Sequence, residues 1–155
     1  TLSLHDALPI YLVIVGRHTE YTDKIERFIK ENKLEKRVHI ISNVPFDDLP
    51  VFYQLAEIFV YPSRFEGFGI PIIEALYSGI PVVAATGSCL EEAGGPDSIY
   101  VHPDDIKGMA DAFKQIYSDT ERKKEMIEKG QKFAKRFSEE KQAVEILNIY
   151  KKLMK

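Results

Sequence analysis

Residues 58–85, which read IFVYPSRFEGFGIPIIEALYSGIPVVAA, contain the pattern that decides the fold. The stretch begins and ends with short apolar runs of branched and aromatic residues, which are typical of strands in a parallel sheet. Between these runs, Pro71 suits the first turn of a helix and Gly79 suits its end. A strand, a helix and a strand at this spacing predict a right-handed βαβ unit.

The same alternation extends along the chain in both directions. Further strands are predicted within YLVIVG (11–16), RVHII (37–41) and SIYV (98–101). The first of these is a continuous β-branched run, so we expect it to be buried on both faces of the sheet. Strands and helices that alternate at these intervals predict an α/β fold, a Rossmann-like doubly wound parallel sheet.

Two more helices are predicted between these strands. Apolar spacing indicates one helix over about residues 25–34. A second is predicted within FDDLPVFYQLA (46–56), where Asp47 or Asp48 suits the cap and Pro50 suits the first turn.

After His102 the pattern becomes wholly helical. Asp104 or Asp105 is predicted to cap the first of three helices, and Ser138 to cap the third. Each helix carries apolar residues at helical spacing, which predicts that all three pack against the core. These residues are Ile106, Met109, Ala110, Phe113, Ile116 and Tyr117, then Met126, Gly130, Phe133, Ala134 and Phe137, then Ala143, Leu147, Tyr150 and Met154.

Composition narrows the classes of function. The net charge is −3 and no basic stripe stands out, so we expect no nucleic-acid partner. Cys89 is the single cysteine and cannot form an internal disulfide, which favours a reducing, cytoplasmic compartment. No apolar run approaches the roughly 18 residues of a membrane span. The Lys-rich C-terminal stretch fits a solvated helix face better than a membrane surface, but it keeps open a peripheral contact of the parent protein with the inner face of the membrane.

The first ten residues, TLSLHDALPI, do not resemble the rest of the chain. They lack the basic and apolar regions of a signal peptide. The string resembles the translation of a sequencing adapter, so we exclude residues 1–10 as non-native. We therefore expect the native domain to occupy residues 11–155, and to begin inside a strand because it is truncated at its N-terminus.

The ligand-binding site is expected at the turn SRFEGFGIPIIEAL, residues 63–76. In open α/β sheets, ligands bind beyond the carboxyl ends of strands, where helix N-termini present free N–H groups. Gly67 and Gly69 lack a Cβ, so a ligand could approach the backbone closely. Glu66 and Glu74 offer carboxylates that suit the neighbouring hydroxyls of a ribose or a hexose. The alternative is that Glu74 only complements the helix dipole and Glu66 is solvated.

Residues 66–74, EGFGIPIIE, closely resemble the E-x7-E signature of retaining GT-B glycosyltransferases of family 4, also called group 1. The longer segments at 38–85 and 87–95 also resemble the C-terminal domain of that family in order and spacing. The resemblance extends over nearly all of residues 11–155. It implies the donor-binding half of a GT-B fold, whose first strand is missing here.

The resemblance also implies roles for matching positions. Glu66 would contact the hydroxyls of the donor sugar near the reacting centre, and Glu74 would hold the ribose. The loop backbone at Gly67, Phe68 and Gly69 would assist Glu66. The amides near Ile70 and Ile72 would face the diphosphate, which would make a metal unnecessary, and no cofactor is expected.

Five further positions complete the implied site. Ser42, Asn43 and Val44 would lie beside the nucleotide base, although the family often has a glycine near this point. Gly16 and Arg17 end a strand at the same edge of the sheet, where Arg17 either reaches a phosphate or is simply exposed to solvent.

For the parent protein, the resemblance implies transfer of a sugar from a nucleotide sugar to an acceptor hydroxyl, with retention at the anomeric carbon. The acceptor site would belong to an N-terminal domain of the same chain. An Arg/Lys clamp on the diphosphate would also lie upstream, so we expect the 155-residue chain to be inactive alone. Two alternatives stay open: a sugar-nucleotide epimerase of similar architecture, and a non-catalytic nucleotide-sugar binding module.

Overall fold

The structure is a computed structural model that describes residues 10–154. The chain divides into two compact units, residues 1–49 and 50–155, and each is described by itself. The segment predicted to be non-native, residues 1–10, lies outside the described residues except for Ile10. All five predicted strands are present.

The N-terminal unit is a parallel strand pair joined by a helix. β1 (Leu12–Val15) pairs with β2 (Val38–Ile41), with Leu12 opposite Val38. The connecting helix, α1 (Glu20–Glu31), ends earlier than expected because Lys33 adopts a left-handed backbone conformation with φ of 55°.

The expectation that β1 is buried on both faces is wrong for the described chain. Leu12, Val13 and Val15 are all exposed. Strand side chains point to the two faces of a sheet, so their exposure means that the described residues leave the faces of β1 largely uncovered. The continuous apolar sequence indicated a strand correctly, but it did not indicate whether other elements cover the faces of that strand.

The C-terminal unit is organised by a three-stranded parallel sheet in the order β3–β4–β5. β3 is Phe59–Tyr61, β4 is Val82–Ala85 and β5 is Ile99–Val101. β4 is central and none of its four residues is accessible to solvent, as expected for a strand with neighbours on both edges and helices on its faces.

A short helical segment precedes β3. A 3₁₀ turn (Phe46–Asp48) leads directly into α2 (Leu49–Leu55), with Pro50 in the first turn of α2 as predicted. The predicted cap at Asp47 or Asp48 is wrong, because both residues lie within the 3₁₀ turn and Pro45 occupies the position before it.

The connection from β3 to β4 follows the prediction closely. α3 (Ile70–Tyr77) begins after Gly69, has Pro71 in its first turn, and ends just before Gly79. Both glycines have positive φ, 107° for Gly69 and 75° for Gly79, a conformation that side-chain-bearing residues rarely adopt. These two glycines therefore fix where α3 begins and where it ends.

Helices then cover the sheet and extend beyond it. They are α4 (Leu90–Gly94), α5 (Ile106–Ser118), α6 (Thr120–Ala134), a 3₁₀ turn (Lys135–Phe137) and α7 (Glu139–Leu153). Asp105 caps α5 by accepting the Gly108 N–H at 2.8 Å, and Ser138 caps α7, as predicted. α6 packs closely on α3 at Gly130, where a Cβ would lie 2.7 Å from Leu76 Cδ2.

The predicted core packing holds for α6 and for Met109, Phe113 and Ile116 of α5, but not for α7. Ile106, Ala110 and Tyr117 of α5, which were also predicted to face the core, are exposed. Ile116 and Met126 are fully buried, whereas no described residue of α7 is buried. The apolar stripe of α7 is regular, but the helix contacts chiefly the preceding 3₁₀ turn. None of the helices in the described residues is long and apolar enough to cross a membrane.

The packing of α3 can be tested with two isoleucines on the same helix. Ile72 has no exposed surface and Ile70 is 62% exposed. Ile72→Ala should lower the free energy of unfolding by about 2–5 kcal/mol because it leaves a cavity. Ile70→Ala should change it by less than about 0.5 kcal/mol. Urea unfolding of both variants checks the difference, and equal losses would contradict the described orientation of α3.

Candidate functional site

Three loops meet at the carboxyl edge of the β3–β4–β5 sheet. They follow the three strands and cover residues 62–69, 86–89 and 102–105. Two contacts connect them: Cys89 Sγ donates to the Glu66 carbonyl oxygen at 3.3 Å, and Arg64 forms a salt bridge with Asp104. This is the edge at which open parallel sheets bind ligands.

Glu66 lies on the first of these loops, as predicted, and its carboxylate is held by a strand residue. The Tyr61 hydroxyl, at the end of β3, donates to Glu66 Oε1 at 2.7 Å. Burial, together with this hydrogen bond to Glu66 and its charge, raises the pKa of Tyr61 from 10.0 to about 12. Tyr61 is therefore a neutral donor at ordinary pH, and Glu66 keeps its second oxygen, Oε2, for another partner.

Glu74 is held in the same way from a different element. It lies one turn inside α3, and the Tyr53 hydroxyl of α2 donates to Glu74 Oε2 at 2.8 Å. Burial, together with the hydrogen bond to Glu74 and its charge, raises the pKa of Tyr53 well above its usual value. Glu74 is partly exposed, and within the described residues its Oε1 has no protein donor.

The two tyrosines are parts of one aromatic row. The rings of Tyr53 and Phe59 lie 5.4 Å apart, and those of Phe59 and Tyr61 lie 5.8 Å apart. All three pack against the main buried cluster of the unit. Sequence reasoning missed both tyrosines as site residues because they read as apolar positions of a helix and a strand. The alternation that places Phe59 and Tyr61 on one face of β3 was a usable indication.

The glycines of the loop serve different purposes. Gly67 is exposed and a Cβ there would meet nothing within 4 Å, so its backbone is accessible from solvent. Gly69 is buried, and a Cβ would lie 3.0 Å from Leu90 Cδ2 and 3.2 Å from Ala93 Cβ. The missing side chain of Gly69 therefore allows α3 to pack on α4, and does not open a path for a ligand.

Phe68 contributes to the site through packing. Its ring meets Phe137 edge to face at 5.5 Å, and Phe137 in turn meets Phe133 at 5.8 Å. This contact attaches the middle of the loop to the 3₁₀ turn that follows α6. The Phe68 side chain therefore anchors the loop to the helical segment.

The first turn of α3 offers fewer free amides than expected. Pro71 has no N–H, and the Ile72 N–H donates to the Gly69 carbonyl oxygen at 2.9 Å. Of the first three residues of the helix, Ile70 is the one whose N–H has no backbone acceptor in the described part of the chain. Any anion at this helix start would meet the Ile70 amide first.

The remaining predicted residues gather within the N-terminal unit. Gly16 and Arg17 follow β1, and Ser42–Val44 follow β2, so they share the carboxyl edge of that strand pair. Gly16 N–H donates to the Ile41 carbonyl oxygen at 3.3 Å, and Asn43 has a positive φ of 59°. The Arg17 side chain is exposed.

One group that the sequence analysis did not consider also lies in this unit. His18, Asp23 and Glu26 place potential ligand atoms within 4.8 Å of one another, and all three are exposed. Exposed acidic groups come together in this way without binding an ion.

The bond between Tyr61 and Glu66 has a measurable consequence for ionisation. In Glu66→Gln the neighbouring negative charge is lost, so the pKa of Tyr61 should fall from about 12 toward 10.0, remaining above it because burial persists. ζ-¹³C-tyrosine NMR between pH 9 and 11.5 measures this change. Tyr100, whose pKa is also raised to about 12 but which donates to the Gly95 carbonyl oxygen, is the internal control. An unchanged Tyr61 titration would contradict the described bond.

Comparison with known proteins identifies the family. The model of the family described as "Glycosyl transferases group 1" matches residues 3–133. The chain is 32% identical over 142 residues to O-antigen chain mannosyltransferase B of Escherichia coli, which covers 92% of this chain and 37% of the relative.

Solved structures agree with this assignment. Sucrose-phosphate synthase from Thermosynechococcus elongatus superposes with a TM-score of 0.81 at 27% identity, over 92% of this chain and 38% of that one. Anabaena HepE, solved in complex with UDP, superposes with a TM-score of 0.80 at 23% identity, over 90% of this chain and 41% of that one, and supports the fold alone.

The chain thus spans less than half the length of these relatives. The resemblance to group 1 glycosyltransferases and the Rossmann-like fold are both confirmed. The chain belongs to the family of glycosyl transferases group 1, and its fold is that of the C-terminal domain of a GT-B glycosyltransferase.

Proposed function

We propose that this chain is the donor-binding half of a retaining glycosyltransferase that moves a sugar from a nucleotide sugar to an acceptor hydroxyl. One observation carries the proposal: Glu66 and Glu74 each have one carboxylate oxygen held by a tyrosine while the other oxygen has no protein donor in the described residues. A carboxylate oriented in this way suits a ligand with paired hydroxyls. Both the sugar and the ribose of a nucleotide sugar provide such pairs.

Each group has a distinct part in the proposed reaction. Glu74 would accept hydrogen bonds from the ribose hydroxyls, which is a contact made equally in the ground state and the transition state. Glu66 would face the donor sugar, where its charge stabilises the oxocarbenium-like transition state. The start of α3, with the Ile70 amide, would face the leaving diphosphate, so we propose that neither a metal nor another cofactor is required.

The family match favours a transferase over a sugar-nucleotide epimerase. We further propose that the nucleotide base lies beside Ser42–Val44 and that the acceptor site belongs to another part of the full-length protein. Alone, the 155-residue chain would hold a nucleotide weakly and transfer nothing. We place the parent protein in the cytoplasm, in peripheral contact with the membrane.

The direct test uses the full-length protein that contains this sequence. It is incubated with UDP- and GDP-sugars and hydroxyl acceptors, and products are identified by mass spectrometry. The anomeric configuration of the product, read by NMR, distinguishes retention from inversion. Donor binding without transfer to any acceptor would instead favour the non-catalytic binding module.

Glu74→Ala in the full-length protein should weaken donor binding. A hydrogen bond to a charged acceptor contributes about 1.5–3 kcal/mol, so the Kd for the donor should rise by roughly 10- to 150-fold. Titration calorimetry measures this, and Glu121→Ala, which removes an exposed acid from the first turn of α6, is the matched control. An unchanged donor affinity in Glu74→Ala would contradict the assignment of Glu74 as the residue that binds the ribose.

Glu66→Gln should affect turnover more than binding. If the charge of Glu66 acts chiefly in the transition state, kcat should fall at least tenfold while the Kd for the donor changes less than threefold. Steady-state kinetics and calorimetry on the same preparation give both numbers. Equal losses in kcat and affinity would mean that Glu66 contributes uniform binding and no specific stabilisation of the transition state.

A further inference from the structure

We infer that Tyr61 and Tyr53 are positioning residues: each phenol fixes one oxygen of Glu66 or Glu74 so that the other oxygen is aimed at the donor. This inference rests on the proposed function and extends it to two residues outside the predicted signature. It is carried by two matching hydrogen bonds, 2.7 Å from Tyr61 to Glu66 Oε1 and 2.8 Å from Tyr53 to Glu74 Oε2.

A glutamate needs such a support to hold a defined orientation. The terminal torsion of its side chain is broad, so a carboxylate without a protein partner rotates over a wide range. Ordering the carboxylate only when a ligand arrives would cost conformational entropy at that moment. A phenol that already occupies one oxygen reduces this cost and leaves the other oxygen in a fixed direction.

The phenols are themselves fixed by the core and not by the loop. Tyr53 belongs to α2 and Tyr61 to β3, and Phe59 lies between their rings. All three rings pack against the buried cluster that contains Ile72 and Leu76 of α3. The same packing therefore sets the positions of both phenol oxygens and of the helix that carries Glu74.

The protonation of the phenols supports the same role. Burial, with the adjacent glutamate in each case, raises the pKa of Tyr61 to about 12 and raises that of Tyr53 also. Both hydroxyls therefore remain donors throughout the neutral range. An ionised phenol beside a carboxylate would repel it; a phenol is neutral near pH 7 in any case, and the raised pKa values extend that neutral range upward.

A purely structural role would predict a different outcome, and Tyr100 provides the comparison. Tyr100 is also partly buried, and its hydroxyl donates to the Gly95 carbonyl oxygen at 2.7 Å, which is a backbone atom. Tyr100→Phe removes an oxygen of the same kind from a similar environment. It should lower the melting temperature without changing donor affinity or turnover.

The experiment compares Tyr53→Phe, Tyr61→Phe and Tyr100→Phe in the full-length protein. UDP, GDP and their sugar conjugates are titrated by calorimetry, and kcat and KM are measured for the donor that the wild type uses. Tyr53→Phe should raise the Kd for the nucleotide roughly 3- to 10-fold, since one hydrogen bond is weakened indirectly. Tyr61→Phe should lower kcat roughly 3- to 10-fold and leave the Kd within twofold.

Double variants distinguish positioning from stability. If Tyr53 acts through Glu74, adding Tyr53→Phe to Glu74→Ala, which removes the acceptor, should weaken binding no further than Glu74→Ala alone. The same test pairs Tyr61→Phe with Glu66→Ala for kcat. Fully additive losses would overturn the inference.

Rescue variants keep the test valid if a Tyr→Phe protein does not fold. p-Aminophenylalanine at position 53 or 61 retains an N–H donor, whereas p-methylphenylalanine fills the same space without one. The amino variants should recover most of the wild-type Kd or kcat, and the methyl variants should not. If amino and methyl variants behave alike, or if the Tyr53 and Tyr61 variants match Tyr100→Phe, the inference is wrong while the proposed function stands. A wild type that binds no nucleotide sugar overturns the proposed function and this inference together.

Discussion

The complete burial of β4 is the constraint on which the C-terminal unit depends. Val82–Ala85 have no exposed surface, so β4 needs a strand on each edge and helices on both faces. Because β3 and β5 both run parallel to β4, the loops that follow them emerge at the same edge of the sheet. The loop that carries Glu66 thereby comes beside Cys89 and Asp104, residues that are distant in sequence. The site is a consequence of how one apolar strand is buried.

Burial also explains why the two glutamates are held by tyrosines. A phenol hydroxyl that is partly removed from water is stabilised by donating a hydrogen bond, and leaving it without a partner would cost at most about 1–3 kcal/mol. Tyr53 and Tyr61 pack against the core and donate to Glu74 and Glu66, and no buried side-chain polar atom of the described residues lacks a partner. The same two hydrogen bonds therefore give the phenol hydroxyls an acceptor and orient the two carboxylates.

The features that could be predicted from the sequence are local. The five strands follow from apolar runs, and the ends of α3 follow from Pro71 and Gly79, because these residues restrict or permit particular backbone angles. The Tyr53–Glu74 bond joins residues 21 positions apart, and the packing of Gly69 on α4 depends on two helices meeting. The exposure of α7 had no local indication either, because an amphipathic pattern specifies an apolar face without specifying its partner.

The loop after β3 illustrates how these parts combine. It is anchored at four points. The Glu66 carboxylate accepts from Tyr61 of β3, and the Glu66 carbonyl oxygen accepts from Cys89 after β4. Arg64 pairs with Asp104 after β5, and Phe68 packs on Phe137 after α6. Phe65, between two of these anchors, is 91% exposed. A loop held in this manner is already ordered before a ligand arrives, so it fits a role in preorganised electrostatic stabilisation better than a role as a moving lid. In the proposed reaction, closure around the donor would then have to come from other parts of the full-length protein, while this edge supplies fixed charges and fixed amides.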